Sequence, residues 1–219
     1  MNKELVNFSK IFALFILYVI LQNIPSVLIK YLHINGSVLR SVLMLSSSIL
    51  VMILFIFFYK KDFKEDLKKY NKNDKEIFFD TLKLWAFGLL IMIVSNSIIN
   101  TLTNGIANNE SINRQVVDKY ALYAFPTMVI TAPIIEEIIF RLSVRKAINN
   151  KYLFPILSAI LFGLVHVIGT SGLELLYIIP YGALGFMFAY IYQKHDTIIA
   201  PISAHIIHNL VCAILIVLV

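Results

Sequence analysis

The stretch TAPIIEEIIFRLSVRKAI, residues 131–148, places two carboxylates and an arginine in an apolar segment that is predicted to lie in lipid. Ionisable side chains inside a membrane cost free energy, so they indicate a functional role. Glu137 and Arg141 are four residues apart and share a helical face, where they can pair, whereas Glu136 projects about 100° away. We therefore expect one glutamate to have a partner and the other to be available for chemistry.

The composition around this stretch is that of a membrane protein. Of 219 residues, 59% are hydrophobic, and the mean hydropathy is +0.80, which is more apolar material than a soluble domain of this length buries. Ten of the 19 basic residues lie in two patches, residues 60–75 and 141–146, so we interpret the net charge of +6 as membrane topology and not as nucleic-acid affinity. We expect a multi-pass protein of the cell membrane, with the lipid bilayer as a partner and no nucleic acid.

Seven apolar segments are candidates to span a bilayer core of about 30 Å. They cover residues 11–28, 38–59, 81–103, 120–140, 152–168, 173–192 and 198–219. The predicted fold is therefore an all-α polytopic transmembrane helical bundle with about seven spans. Because Pro126 and Pro133 interrupt the fourth segment, a re-entrant helix is left open there.

The polar connections predict the orientation of the bundle. Residues 60–80 are interpreted as a solvated cytoplasmic loop, and residues 104–119 as an extracytoplasmic loop. With a cytoplasmic N-terminus, fifteen of the 19 Lys and Arg residues fall inside. The four on the outside are Lys30, Arg40, Arg114 and Lys119. Since positive residues favour the cytoplasmic side, we expect the N-terminus inside and the C-terminus outside.

Polar side chains that lie away from the span ends gather in the C-terminal half. They are Glu136, Glu137, Arg141, His166, His205, His208 and Asn209. The alternative to a site is helix–helix hydrogen bonding, at about 0.6 kcal/mol per bond on average. Because the residues come from three separate helices, convergence on one site is the simpler account. The single cysteine, Cys212, has no charged neighbour that would activate it as a nucleophile.

Spacing within the helices indicates which side chains can meet. His205 and Asn209 are four apart and share a face, and His208 on the same side is a rival to them. Gly163, on the segment that carries His166, leaves a flat strip where another helix backbone can approach closely.

A carboxylate with two imidazoles supports two kinds of chemistry. The group can bind a divalent metal ion that lowers the pKa of its water, or it can act directly, with the carboxylate as the base and the histidines polarising the reacting carbonyl. Both routes hydrolyse amides, and the sequence leaves both open. For the first route the candidate ligands are Glu136, His166 and His205, and the candidate metal is zinc.

Three short motifs carry a resemblance to a known family. EEIIFR at 136–141, FGLVH at 162–166 and HIIHN at 205–209 match EExxxR, FxxxH and HxxxN, in order and on successive hydrophobic segments. In these motifs the chain resembles the CAAX prenyl protease and bacteriocin-processing family, the intramembrane proteases also called ABI or CPBP. The resemblance covers residues 120–219, which we expect to form a CPBP-like catalytic helical core. Residues 1–119 are then an N-terminal part with three spans and the loop 60–80.

The resemblance implies a role for each matched residue. Glu136 is expected to activate water, with Glu137 and Arg141 as its structural support. His166 and His205 are the expected partners of the water or of the oxyanion, and Asn209 is a further polar group there. The family is discussed both as metalloproteases and as metal-independent glutamate proteases, so the resemblance also leaves the metal open.

A shared site places a condition on the fold. At 1.5 Å per residue, His166 lies about 22 Å along its helix from Lys151, whereas Glu136 lies only about 8 Å from Arg141. The helix that carries Glu136 must therefore continue past Arg141, with LSVRKAI buried or lying in the interface.

The functional expectation is an intramembrane endopeptidase that cuts a peptide or a membrane-protein tail in a cavity open to the cytoplasm. The alternative is a non-enzymatic bacteriocin-immunity or membrane scaffold protein, in which the polar cluster serves packing alone. A secondary transporter that uses the carboxylates as a proton relay is less favoured, because the sequence has no detectable inverted repeat.

Overall fold

The computed structural model describes residues 3–218, which fold into eight helices and contain no strand. The helices are α1 (Lys3–Tyr31), α2 (Ser37–Phe58), α3 (Lys60–Lys72), α4 (Asp74–Thr103), α5 (Asn108–Ala147), α6 (Leu153–His166), α7 (Ile178–His195) and α8 (Ile199–Leu218), with a 3-10 turn at Gly172–Tyr177. The predicted all-α class is confirmed. Residue 219, the last of the predicted seventh span, lies outside the described residues.

Six helical segments among residues 3–218 are long and apolar enough to cross a membrane. They are Ser9–Tyr31, Ser37–Phe58, Asp74–Thr103, Asn108–Ala147, Gly172–His195 and Ile199–Leu218. The chain is therefore a multi-pass membrane protein. The segment predicted at 152–168 is the shorter α6, whose 14 residues reach only about 21 Å, less than a bilayer core of about 30 Å. The orientation of the N-terminus stays a prediction.

Both polar stretches that we expected to be loops are largely helical. Residues 60–80 form α3 and the start of α4, and α5 begins at Asn108, inside the stretch expected to be the outer loop. Tertiary contacts stabilise α3: Asp66 is buried, and its carboxylate accepts a hydrogen bond of 2.8 Å from the backbone N–H of Ile198, just before α8. Composition alone does not reveal such contacts, and the prediction of a loop was wrong, although most of the charged side chains of α3 are exposed as expected.

The longest helix, α5, carries Glu136 through the middle of the bundle. It kinks at Tyr120 and widens into π-helical turns at Thr127–Thr131 and Ile138–Ser143. The first π segment lies between Pro126 and Pro133, each of which lacks a backbone N–H, and wider turns absorb such a disruption without ending the helix. The predicted fourth span is thus one continuous helix.

Beyond Arg141 the same helix stays inside the protein. Leu142, Ser143 and Val144 are all buried, and so is Ala147, where the helix ends. The condition for a site shared with His166 is therefore met. Its physical basis is the packing of α1 and α6 around this end of α5, in one apolar cluster with Ile11 and Phe154.

A close helix contact brings α6 against α7 at Gly163, where the sequence predicted a flat strip. A Cβ atom at position 163 would lie 2.9 Å from Ile178 Cγ1, 3.0 Å from the Ile178 carbonyl oxygen and 3.3 Å from the Gly182 nitrogen. Since two of these atoms are backbone, a side chain there pushes the helices apart.

We expect Gly163→Ala to destabilise the protein by about 1–3 kcal/mol, the usual cost of overpacking. Gly182→Ala, on the facing helix, is the matched control, because its Cβ would meet only the Ala159 carbonyl oxygen at an ordinary 3.7 Å. Thermal unfolding in detergent measures both. Equal stability of the two variants would contradict the close contact.

Candidate active site

A cavity of about 660 Å³ lies between α4, α5 and α8. At its deep end lie Glu136, Phe162, His166 and His205, so residues from all three sequence motifs meet at one cavity. His208 and Asn209 line the same cavity from α8. The two remaining predicted residues, Glu137 and Arg141, lie directly behind this wall.

Glu137 and Arg141 form the predicted ion pair. Arg141 Nη1 lies 3.1 Å from Glu137 Oε1, and both side chains are 0% exposed. The guanidinium group lies between the rings of Phe162 and Phe188, at 4.4 and 5.3 Å from their centroids, and its Nη2 donates a hydrogen bond of 3.2 Å to the Gly185 carbonyl. These contacts compensate in part for burying a charge. Arg141 thus connects α5 to α6 and α7.

His205 connects the two glutamates. Its Nδ1 donates a hydrogen bond of 2.8 Å to Glu137 Oε1, because the carboxylate paired with Arg141 can only accept. In the neutral ring this bond places the proton on Nδ1 and the lone pair on Nε2, which lies 3.7 Å from Glu136 Oε2. Phe188 stacks on the ring, with the two centroids 4.8 Å apart. The imidazole is therefore held in one orientation by a carboxylate and an aromatic ring.

The two glutamates have different environments, as the 100° separation predicted. The Glu136 side chain is 19% exposed and lines the cavity, while that of Glu137 is 0% exposed. A carboxylate at a cavity wall can reach water, and one inside an ion pair cannot. Glu136 is therefore the glutamate whose position suits chemistry.

His166 is positioned by its own helix and by an aromatic residue that the motifs do not contain. Its Nδ1 donates a hydrogen bond of 2.7 Å to the Phe162 carbonyl, which again leaves the lone pair on Nε2. Tyr181 of α7 stacks on the ring at 4.5 Å between centroids and also lines the cavity. Tyr181 was missed because a tyrosine in an apolar helix gives no signal of its own.

Asn209 and His208 line the cavity, but their hydrogen-bond partners are residues outside the three motifs. Asn209 Nδ2 donates a hydrogen bond of 2.7 Å to the Met128 carbonyl, in the first π segment of α5. This bond fixes α8 against α5 beside the cavity. The buried ring of His208 packs edge-on against Phe188, and its Nε2 lies 3.6 Å from Cys212 Sγ. The structure gives His208 no contact with either glutamate.

The candidate metal ligands do not form a metal site in this arrangement. Among residues 3–218, no group of three or more His, Cys, Asp or Glu side chains is close enough to hold a metal ion. His205 Nε2 lies 3.7 Å from Glu136 Oε2, a separation that two ligands of one metal ion can have, since each lies about 2.0–2.2 Å from zinc. His166 does not complete a group of three with them.

The cavity extends from Glu136 toward the end of the bundle where α5 begins. Its outer wall includes Asn109, Asn113 and Arg114 of α5 and Ile216 near the end of α8. Lysine-rich α3 lies at the opposite end. A cavity open to the cytoplasm and a cytoplasmic N-terminus therefore place opposite ends of the bundle on the cytoplasmic side, and both stay predictions.

The comparisons with known proteins concern the part of the chain that carries this site. Residues 118–211 match the model of the family described as type II CAAX prenyl endopeptidase Rce1-like. Over these residues the chain is similar to that family. All six residues that the motifs predicted lie within the Rce1-like region.

Three bacterial relatives extend the comparison. “Putative membrane peptidase YdiL” of Bacillus subtilis is 32% identical, over 58% of this chain and 53% of its own length. An uncharacterized protein of Mycoplasma capricolum is 28% identical, over 77% of this chain and 53% of its own. UPF0177 protein YxdF of Lactococcus lactis is 25% identical, over 74% of this chain and 89% of its own length. The chain thus spans about half the length of the first two relatives, and no solved structure matches it.

Proposed function

We propose that the chain is an intramembrane endopeptidase, which hydrolyses a peptide bond in a peptide or a membrane-protein tail with water activated by Glu136. The similarity to the Rce1-like family and to YdiL supports a protease in general. The observation that carries the residue-level proposal is the division between the glutamates: Glu136 lines the cavity beside His205, while Glu137 is buried in the pair with Arg141.

The hydrolytic step follows from the groups at the deep end of the cavity. Glu136 takes a proton from a water molecule, and the water oxygen attacks the carbonyl carbon of the scissile bond. The tetrahedral intermediate collapses when the C–N bond breaks, and the proton held on Glu136 passes to the leaving amine. One water is consumed, and a new carboxyl group and a new amine result.

The neighbouring residues position the water and the carboxylate. In neutral His205 and His166 with Nδ1 as the donor, the Nε2 lone pair of either ring can accept one hydrogen of the water, while Glu136 accepts the other. With both of its hydrogens donated in this way, the water oxygen can direct a lone pair at the substrate carbonyl. Arg141 supplies a positive charge that pairs with the carboxylate of Glu137, directly behind the cavity wall.

Cleavage of an internally quenched peptide library tests the proposal. The detergent-purified wild type is compared with Glu136→Gln, prepared in the same way, so that a contaminating peptidase is recognised as activity in both. Cleavage by the wild type alone supports the peptidase. A membrane-protein tail is tested as a second substrate. If neither the wild type nor Glu136→Gln cleaves either substrate, the non-enzymatic alternative is favoured.

A strong chelator separates the direct route from the metal route. Because the three candidate ligands do not come together around one point, we propose the direct route and expect the wild type to retain its cleavage rate within about twofold after chelation and desalting. Addition of zinc should not increase the rate. A loss of activity on chelation that zinc restores would favour a metal held by Glu136, His166 and His205.

A further inference from the structure

The two ends of the bundle differ in charge and in packing. One end carries α3, the end of α5 and the start of α8, joined by ion pairs of 2.6 Å between Lys146 and Asp62 and between Lys69 and Asp196. Seven of the 19 Lys and Arg residues lie in residues 60–75 at this end alone. Lysine-rich segments next to spans remain on the cytoplasmic side. This end is therefore the one expected on the cytoplasmic side.

Between that end and the site, the interior is closely packed. Ile135, Ile138 and Ile139 are 0% exposed, as are Glu137 and Arg141. Of the described residues that line the cavity, none belongs to α3, to the end of α5 beyond Glu136, or to the turn between α7 and α8. A small pocket of about 150 Å³ at the lysine-rich end is lined by Lys10, Tyr59, Ser143 and Lys146 and by none of the site residues. The buried side chains of α5 lie between this pocket and Glu136.

On the other side of Glu136 the cavity continues along polar groups. Asn96 of α4 and Asn109 and Asn113 of α5 line it, and so do Glu110 and Arg114, which pair at 2.9 Å and are each more than 30% exposed. Amide side chains along a cavity wall can bond the backbone of an extended peptide, because each offers both a donor and an acceptor. The polar wall therefore suits a peptide that approaches from this end.

We infer that the catalytic cavity opens to the extracytoplasmic face, so that its substrate is a peptide segment on the outer side of the membrane. The substrate part of this inference rests on the proposed function. The access part does not, since it concerns only which side of the membrane reaches the cavity.

Single-cysteine variants test the access route without any assay of cleavage. Cys212→Ser removes the one native thiol, and three variants then each carry one new cysteine: Asn113→Cys at the cavity, Ser171→Cys in the exposed turn after α6, and Asn71→Cys on α3. None of these changes alters the charge. A membrane-impermeant thiol reagent is applied to intact and to permeabilised bacterial cells, and labelling is read as a mass shift.

We expect Asn113→Cys and Ser171→Cys to be labelled in intact cells, and Asn71→Cys only after permeabilisation. Labelling of Asn113→Cys only after permeabilisation would overturn the inference, and so would its absence in both conditions. With the purified protein, a bulky reagent on Asn113→Cys should block cleavage, whereas the same reagent on Ser171→Cys should not. If labelling follows the expected pattern but no cleavage is found, the access route stands and the proposed function fails.

Discussion

Glu136→Gln is expected to lower the rate of peptide cleavage by about 10²–10⁴-fold, the contribution of a positioned general base. Glutamine has nearly the same shape as glutamate, so it can keep the neighbouring contacts, but its amide cannot take a proton from water. Because the Glu136 side chain lies at the cavity wall and outside the buried ion pair, the melting temperature should change little. Initial rates on one quenched peptide, with thermal unfolding of the same samples, measure both effects.

The matched control is Glu110→Gln. Glu110 is on the same helix and lines the same cavity, and its carboxylate pairs with Arg114 and not with a histidine. Loss of that charge should change the rate by no more than a few fold, since an ion pair as exposed as this one contributes only about 0.2–1 kcal/mol to the stability of the fold. If Glu136→Gln kept a tenth or more of the wild-type rate, Glu136 could not be the base.

Arg141→Met is expected to destabilise the protein by about 3–5 kcal/mol, because it leaves Glu137 as an uncompensated charge in the interior. The natural control has the same spacing on the same helix: Arg114 and Glu110 are also four apart and pair at 2.9 Å, but both are partly exposed. Arg114→Met should therefore cost about 1 kcal/mol or less. Urea or thermal unfolding in detergent compares the two variants.

A double variant keeps this prediction testable if Arg141→Met does not fold. Glu137→Gln combined with Arg141→Met removes both charges, and replacing a buried ion pair by uncharged groups is often close to neutral. We expect the double variant to recover much of the stability and of the yield of folded protein. Equal losses of stability in Arg141→Met and Arg114→Met would show that burial does not increase the contribution of the Glu137–Arg141 pair to stability.

The part of the site that the sequence predicted follows from local helical geometry. Glu137 and Arg141 pair because residues four apart on a helix are neighbours in every fold, and Glu136 differs because the next residue projects about 100° away. Gly163 permitted a close helix contact because it lacks a side chain. Apolar segments of 18 or more residues likewise predict spans from length alone.

The helical state of residues 60–80 and the start of α5 depended on tertiary contacts. Both stretches are polar, and hydropathy separates lipid from water, not helix from loop. The buried hydrogen bond of Asp66 to Ile198 joins residues 132 positions apart, and no local pattern contains it. The structure has fewer long spans than the sequence predicted, because α6 is apolar enough to cross the membrane but too short.

The sequence by itself determined that the chain lies in a membrane, which residues are candidates for catalysis, and which of two adjacent glutamates is available. Tertiary structure alone decided that His205 bonds to Glu137 and approaches Glu136, that Asn209 bonds to Met128, and at which end of the bundle the cavity lies. The physical reason is that helical periodicity fixes the direction of a side chain only relative to its own helix. The rotation and depth of one helix against another arise from packing between residues far apart in the chain.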